Sequence, residues 1–175
     1  MRATHTAVLL VAGLAACTPP HPPAPFAVDA SPPVPRATRL LLRLGERRLY
    51  LITDGDRATP PAVESFPVAI GRAEYATPIG HFAVTDKREN PSWIRFDWND
   101  PSHEFGTVPP GPDNPLGVRW IGFATAHGWQ IGFHGTPHPE VLGQAVSHGC
   151  VRMRNADVVR VYERVSIGTP VLVVP

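Results

Sequence analysis

Proline and glycine limit what this chain can fold into more than any other residues. Among 175 residues there are 22 prolines and 15 glycines. A proline inside a helix removes a backbone hydrogen bond and collides with the preceding turn. Such a composition favours short strands joined by turns, so the sequence predicts a mainly β protein with one or two short helices. The length allows one ordinary domain plus an appendage.

Runs of apolar and β-branched residues place the predicted strands between the turns. A β-hairpin is predicted from Arg39 to Thr53, with its turn at Gly45-Glu46. The last predicted strand is wholly apolar and is therefore expected to be buried on both faces. The strands predicted after the hairpin cover 63–70, 80–85, 118–124, 130–133 and 171–174.

One helix is predicted near the end of the chain. Asn155 is the expected N-cap, and Asp157 suits the positive end of the helix dipole in the first turn. The helix is expected to stop before Gly168. Its apolar face, at i, i+3, i+4 and i+7, is formed by Val158, Val161, Tyr162 and Val165.

The stretch from Lys87 to Pro115 reads as a long irregular loop. Loops of this length in compact domains are usually functional or disordered, and the aromatic content argues against disorder. Two interpretations remain open, a wall or lid of a substrate cleft and a small hydrophobic cluster. The aromatic residues concerned are Trp93, Phe96, Trp98 and Phe105.

The N-terminus has the pattern of an export signal. Arg2 precedes an apolar run from Ala7 to Ala16, which is too short to span a bilayer. The run ends in Leu14-Ala15-Ala16-Cys17, which resembles a bacterial lipoprotein box. This resemblance implies a signal peptide over 1–16 and lipidation of Cys17, hence a membrane-anchored protein of the cell envelope outside the cytoplasm. Secretion after cleavage at Ala16, without lipid, is the alternative.

Residues 17–37 form a proline-rich linker in this interpretation. Such a tract lacks the apolar surface to fold and favours extended polyproline II, a semi-rigid spacer. The folded domain is therefore predicted over 38–175.

Two short motifs carry the candidate chemistry. Cys150 lies in Ser147-His148-Gly149-Cys150-Val151-Arg152-Met153, and His134 lies in Ile131-Gly132-Phe133-His134-Gly135-Thr136. A cysteine and a histidine that are distant in sequence but close in the fold are typical of a thiol nucleophile and its base. If Cys17 carries lipid, Cys150 has no disulfide partner and remains a free thiol.

These motifs resemble the signature of the YkuD-type L,D-transpeptidases. That signature is a His-Gly pair followed by Ser/Thr-x-Gly-Cys with an Arg or Asn just beyond. Similarity extends over most of 38–175 and includes 76–82, 114–120 and 168–171. The resemblance implies a compact β-sandwich or barrel with short helices.

The resemblance also implies roles for the residues around the thiol. Cys150 is the expected nucleophile and His134 its base, and the backbone carbonyl of Gly135 is expected to orient the imidazole. The backbone N–H groups of Gly149 and Cys150 are the expected oxyanion hole.

Three neighbours of the nucleophile are candidate substrate contacts. Alternation in an extended segment would put Arg152 on the same face as Cys150, where it could bind a carboxylate; a salt bridge that holds the loop is the alternative. His148 is expected to contact substrate or assist proton transfer, and Ser147 to shape the turn. No function is assigned to the histidines at His81, His103, His127 and His138.

The reaction implied by the resemblance is acyl transfer on peptidoglycan stem peptides. Cys150 would release the terminal D-alanine of a tetrapeptide stem and form a thioester. An amine of a neighbouring stem would then give a 3→3 cross-link. Water, a free D-amino acid or a protein lysine are alternative acceptors, and a non-catalytic wall-binding lipoprotein is the alternative of another class. Carbapenem-type β-lactams are the expected covalent inhibitors.

Two other classes of function are disfavoured. A net charge of +1 with scattered basic residues offers no electrostatic surface for nucleic acid. His134, His138, His148 and Cys150 include possible zinc ligands. Pro137 and Pro139, however, disfavour the helix that usually brings i and i+4 histidines together. We therefore predict neither a metal nor another cofactor.

Overall fold

A computed structural model describes residues 37–175, which form thirteen strands, one α-helix and two 3₁₀ turns. The predicted signal peptide, Cys17 and the linker up to residue 36 lie outside the described residues. The described residues contain no helix that is long and apolar enough to cross a bilayer.

The first sheet has five strands in the order β3-β2-β1-β13-β5. The predicted hairpin is confirmed as β1 and β2, whose Leu40 and Leu42 face the core with Leu49 and Leu51. The last strand, β13, pairs in parallel with β1. The strands are β1 Thr38–Arg43, β2 Arg48–Thr53, β3 Ala62–Pro67, β5 Gly80–Ala83 and β13 Pro170–Val174.

The second sheet has four strands in the order β12-β10-β9-β6. The strands predicted over 118–124 and 130–133 are confirmed as β9 and β10, which are antiparallel neighbours. The strands are β6 Asp86–Glu89, β9 Arg119–Ala126, β10 Trp129–His134 and β12 Val151–Arg152.

The two sheets share one hydrophobic core, as in a sandwich. Phe82 of β5 meets Phe123 of β9 with 5.6 Å between ring centroids, which joins one sheet to the other. Phe133, Val151 and Met153 are fully buried in the same core. The strands that carry the two motifs are thus fixed by burial as well as by backbone pairing.

Two further strand pairs lie outside these sheets. The first, a short parallel pair, joins β4 Ile70–Gly71 to β11 Ala145–Ser147. The second is the wall hairpin, Trp93–Val108, in which β7 Trp93–Phe96 pairs antiparallel with β8 Glu104–Val108. The prediction of an irregular segment from Lys87 to Pro115 is therefore wrong in part, because cross-strand pairing organises its middle.

The helix, α1 Asn155–Arg164, packs on the second sheet through the buried Val158 and Val161. Lys87 of β6 donates to the carbonyls of Tyr162 (2.8 Å) and Val165 (2.6 Å), so its ammonium satisfies acceptors at the helix C-terminus.

Three sequence predictions need correction. Arg154, not Asn155, is the N-cap, because the Asn155 Oδ1 accepts the Val118 N–H at 3.3 Å instead. The strand predicted over 63–70 ends at Pro67, since β4 pairs with β11 and not with the first sheet. In β13 only one face is buried, because Leu172 and Val174 point to the half-exposed outer face.

Candidate active site

The loop that carries Cys150 runs from β11 to β12 and is held by its own hydrogen bonds. The buried Ser147 donates through Oγ to the carbonyl of Cys150 at 2.5 Å and accepts the N–H of Gly149 at 3.1 Å. Thr77 Oγ1 donates to the carbonyl of Gly149 at 2.8 Å. Ser147 therefore shapes the turn, as expected, and Thr77, from another segment of the chain, holds the Gly149 peptide in place.

Gly149 is required by this turn for two reasons. Its φ is +106°, a conformation that residues with a Cβ rarely adopt. A Cβ there would also lie 2.8 Å from Ile131 Cδ1. A larger residue would therefore strain the backbone and force the buried Ile131 side chain or the loop to shift.

His134 ends β10, where it is opposite Arg152 in the parallel register with β12. Its side chain is buried, and Nδ1 lies 2.6 Å from the carbonyl oxygen of Gly135. This contact is the one that the resemblance implies. It makes Nδ1 the protonated nitrogen and leaves Nε2 as the acceptor.

Burial disfavours the charged forms of both His134 and Cys150. It lowers the pKa of His134 to about 4, although the hydrogen bond to Gly135 opposes this shift. Burial also raises the pKa of the Cys150 thiol to about 11, opposed by a backbone hydrogen bond from Gly132 and by the charge of Arg152. The thiol donates to the Gln130 carbonyl at 3.7 Å. Both groups line the same cleft, and burial disfavours the charged form of each.

Arg152 lines the same cleft as Cys150 and His134, as the alternation of β12 predicted. Its side chain is half-buried and has no ion-pair partner within residues 37–175. The alternative of a loop-holding salt bridge thus has no support among these residues. A partly desolvated guanidinium without a partner is well suited to bind a carboxylate.

The two predicted oxyanion donors differ. The N–H of Gly149 is already engaged by Ser147 Oγ, so it does not point freely into the cleft. The N–H of Cys150, by contrast, donates to no group within residues 37–175. The structure therefore favours Cys150 over Gly149 as the backbone donor to an oxyanion.

His148 lines the cleft, but its ring is held by protein contacts. It stacks on Trp98 with ring centroids 3.8 Å apart and an interplanar angle of 5°. Arg72 donates to Nε2 at 2.8 Å. Burial, then the charges of Arg72 and Arg152, lower the pKa of His148. This ring is better placed to join the wall hairpin to the nucleophile loop than to move protons.

The cleft has a volume of about 320 Å³. About half of its lining comes from the segment 88–115, which supports the interpretation of that segment as a cleft wall. Trp120 of β9 and Trp129 and Gln130 of β10 also line the cleft, which the sequence did not indicate. All four tryptophans of the chain line the cleft, namely Trp93, Trp98, Trp120 and Trp129.

Four other histidines within residues 37–175, His81, His103, His127 and His138, are not among the residues that line the cleft. His138 is exposed and pairs with Glu140 at 3.1 Å. His127 Nε2 lies 3.0 Å from the carbonyl of Ala76 and so helps to fix the chain before Thr77. Within the described residues, no group of three or more His, Cys, Asp or Glu side chains is arranged to hold a metal ion.

A family model for the L,D-transpeptidase catalytic domain, YkuD, matches residues 37–173. This chain belongs to the L,D-transpeptidase catalytic domain family. Among curated relatives, it is 41% identical over 110 residues to the putative L,D-transpeptidase YqjB of Bacillus subtilis, covering 62% of this chain and 57% of that protein. It is 33% identical over 143 residues to the probable L,D-transpeptidase YcfS of Escherichia coli, covering 77% of this chain and 43% of that protein.

The fold of this L,D-transpeptidase domain also has solved counterparts. L,D-transpeptidase 3 from Mycobacterium tuberculosis, in complex with a faropenem-derived adduct, superposes with a TM-score of 0.60 at 22% identity and covers 80% of this chain and 61% of that one. At such identity the likeness concerns the fold. The chain spans between 43% and 57% of the two curated relatives' length.

Proposed function

We propose that this protein is a peptidoglycan L,D-transpeptidase that acts through a thioester on Cys150. The observation that carries the proposal is the convergence of three groups in one cleft. Cys150 supplies the thiol, His134 supplies an imidazole whose Nδ1 is fixed by Gly135, and Arg152 supplies a guanidinium without an ion-pair partner.

Acylation begins with proton transfer from the Cys150 thiol to His134 Nε2. The neutral imidazole, with Nδ1 held by the Gly135 carbonyl, is competent to accept this proton at Nε2. The thiolate attacks the carbonyl of the third residue of a tetrapeptide stem, and the oxyanion is stabilised by the N–H of Cys150. The imidazolium then protonates the departing amine of D-alanine, and a thioester remains.

The second half-reaction transfers the acyl group to an amine. A neutral amine attacks the thioester carbonyl, His134 accepts the proton of that amine, and the Cys150 thiolate leaves and recovers a proton from the imidazolium. With the side-chain amine of a second stem, the product is a 3→3 cross-link. Water, a D-amino acid or a protein lysine would use the same thioester.

Arg152 is proposed to bind a free carboxylate of the donor stem. The stem carries carboxylates, and the cleft offers this partly buried guanidinium without an internal competitor. The aromatic side chains in the cleft wall lower the local dielectric, which strengthens the ion pair.

The test is incubation of the purified protein with disaccharide-tetrapeptide muropeptides, followed by mass spectrometry of products and of intact protein. A 3→3 dimer with loss of D-alanine supports transpeptidation. A tripeptide product alone would instead support the carboxypeptidase alternative. Incubation with imipenem separates both from a non-catalytic wall-binding protein, because only a working nucleophile retains the β-lactam mass.

We further propose that Cys17 is lipidated and anchors the domain outside the cytoplasm. The support is the Leu14-Ala15-Ala16-Cys17 sequence and the proline-rich tract behind it. Metabolic labelling with a fatty-acid analogue should mark the wild type and not Cys17→Ala. A soluble, unlabelled wild-type protein would contradict the proposal.

A further inference from the structure

One carboxylate on the cleft wall has no role in the chemistry described so far. Glu104 is the only acidic residue among those that line the cleft within residues 37–175. It begins β8 of the wall hairpin, and its side chain pairs with no Arg, Lys or His within those residues. The cleft therefore contains an unpaired anion as well as an unpaired cation, Arg152.

A β-bulge places Glu104 on the cleft side of the hairpin. The register shifts between Arg95 and Phe96, so that Arg95 faces Gly106 while Phe96 faces Glu104, and Phe105 has no partner. Directly opposed residues of an antiparallel pair project to the same face. Phe96 and Glu104 accordingly both line the cleft, whereas Phe105 is 57% exposed. Such bulges commonly re-aim a side chain beside an active site.

The surroundings of Glu104 suit a cation. Trp93, Phe96, Trp98 and Trp129 line the same cleft, and aromatic faces attract ammonium groups. A carboxylate next to aromatic rings is a common way to recognise an ammonium, since the rings reduce water competition for the ion pair. Arg88 also lines the cleft, but it is paired with Asp86 at 2.8 Å and therefore leaves Glu104 free.

We propose that Glu104 and the aromatic wall bind the cationic amine of the acyl acceptor. This inference rests on the proposed thioester mechanism and adds to it the group that selects an amine over water. The acceptor arrives as R–NH₃⁺ and is bound by the Glu104 carboxylate. It releases one proton to solvent, which the exposed position of Glu104 permits, and the neutral amine attacks the thioester. Glu104 is a specificity residue in this scheme, and His134 remains the base.

The experiment compares a charged and an uncharged acceptor on the same acyl-enzyme. The donor is a tetrapeptide whose third-residue side-chain amine is acetylated, so that it cannot act as acceptor. The acceptors are Nα-acetyl-lysine amide, a cation, and hydroxylamine, which is neutral at pH 7. Wild type, Glu104→Gln, Glu104→Lys and Glu163→Gln are compared. Glu163, an exposed acid on α1, is the control because it lies outside the cleft.

In Glu104→Gln, the half-saturating concentration of acetyl-lysine amide should rise about three- to ten-fold, the range for one partly exposed ion pair. The product ratio should shift toward hydrolysis. Glu104→Lys should show a larger rise. Acylation and transfer to hydroxylamine should be unchanged, and Glu163→Gln should match wild type throughout.

Two results would overturn the inference alone. One is an unchanged dependence on acetyl-lysine amide in Glu104→Gln. The other is an equal loss with both acceptors, which would indicate a displaced hairpin. Failure of the wild type to form any acyl-enzyme would overturn the proposed function, and this inference with it.

Discussion

The two sides of the cleft are built in different ways. On the nucleophile side, Cys150 and His134 lie on neighbouring segments whose register is fixed by β10 and β12. Their backbone carbonyls are engaged by Ser147 and Met153. On the opposite side, the wall hairpin is largely exposed and meets the rest of the domain through rings, chiefly Trp98 on His148 and on Trp129.

The difference teaches which positions must be exact and which can adapt. Hydrogen bonds and strand register can fix the positions of side-chain atoms to within about 0.5 Å, as proton transfer and nucleophilic attack require. Ring contacts exclude water but tolerate displacement, as a substrate wall requires. We expect changes on the nucleophile side to damage chemistry and changes in the wall to damage substrate binding.

The largest expected effect is on the nucleophile itself. Cys150→Ala should abolish acylation, because no other group in the cleft can form the thioester, and Cys150→Ser should be nearly as inactive since a hydroxyl is harder to ionise. Intact-protein mass after incubation with imipenem measures this. A retained adduct in Cys150→Ala would locate the nucleophile elsewhere.

The next effect separates the base from the wall. His134→Ala should slow acylation by about 10²- to 10⁴-fold. The remaining rate should rise with pH toward about 11, where the buried thiol ionises without help. Iodoacetamide alkylation against pH gives the profile. A plateau reached near neutral pH in the wild type would instead indicate a preformed thiolate–imidazolium pair.

The buried neutral histidine should also make stability depend on pH. In the unfolded chain the imidazole of His134 has its ordinary pKa of about 6.5, whereas burial in the folded state lowers this pKa to about 4. Between these values the unfolded state holds more protons, so the free energy of unfolding should fall as pH drops. The loss by pH 4 is roughly 3 kcal/mol, and the lowered pKa of His148 acts in the same direction.

Urea unfolding from pH 7 to pH 4 in wild type and His134→Phe measures this linkage. His134→Phe should remove most of the acid-dependent loss in the free energy of unfolding. The free energies of unfolding of the two proteins at pH 7 are compared separately, because the substitution also changes packing. An acid dependence of the same size in both proteins would place its source outside the nucleophile side.

Arg152 should distinguish binding from chemistry. Arg152→Ala should reduce turnover of the tetrapeptide donor about ten- to a hundred-fold, the usual loss for a hydrogen bond to a charged group. Alkylation of Cys150 by iodoacetamide should change little, and Arg152→Lys should recover part of the loss. If turnover and alkylation fell together, Arg152 would be holding the loop.

The smallest expected effect is in the wall. Trp98→Ala should raise the KM for the peptide donor about three- to ten-fold through loss of ring contacts, with kcat and iodoacetamide alkylation nearly unchanged. Phe105→Ala is the control, because Phe105 is exposed and its one ring contact is His103. A fall in kcat for Trp98→Ala would show that the wall also positions the nucleophile loop.

Local sequence accounted for much of this molecule. The β1–β2 hairpin and the β9–β10 pair follow from apolar alternation and short turns, which are properties of neighbouring residues. The thiol, its base and the Arg152 side chain could also be named, because two short motifs carry all three. The helix was located by its apolar face, although Asn155 was misplaced as its cap.

Asn155 shows why such errors arise. Its type suits an N-cap, but a Cβ on Gly135 or Gly117 would collide with its Oδ1, so the amide lies against two glycine backbones from distant segments. Neither contact is visible in local sequence. Gly149 is a different case, because its N–H was expected to be free and is satisfied by Ser147 Oγ, which lies only two residues earlier in the chain.

The sequence by itself determined the β composition, the strands that hold the motifs, and the residues proposed to react. The tertiary structure decided which groups share the cleft: Trp120 and Trp129 from the sheet, His148 stacked on Trp98, and Glu104 turned inward by a bulge. It also decided the burial that lowers the pKa of His134 and raises the pKa of the Cys150 thiol. Burial depends on segments far apart in the chain and the bulge depends on cross-strand pairing, whereas periodicity and motifs depend on sequence neighbours.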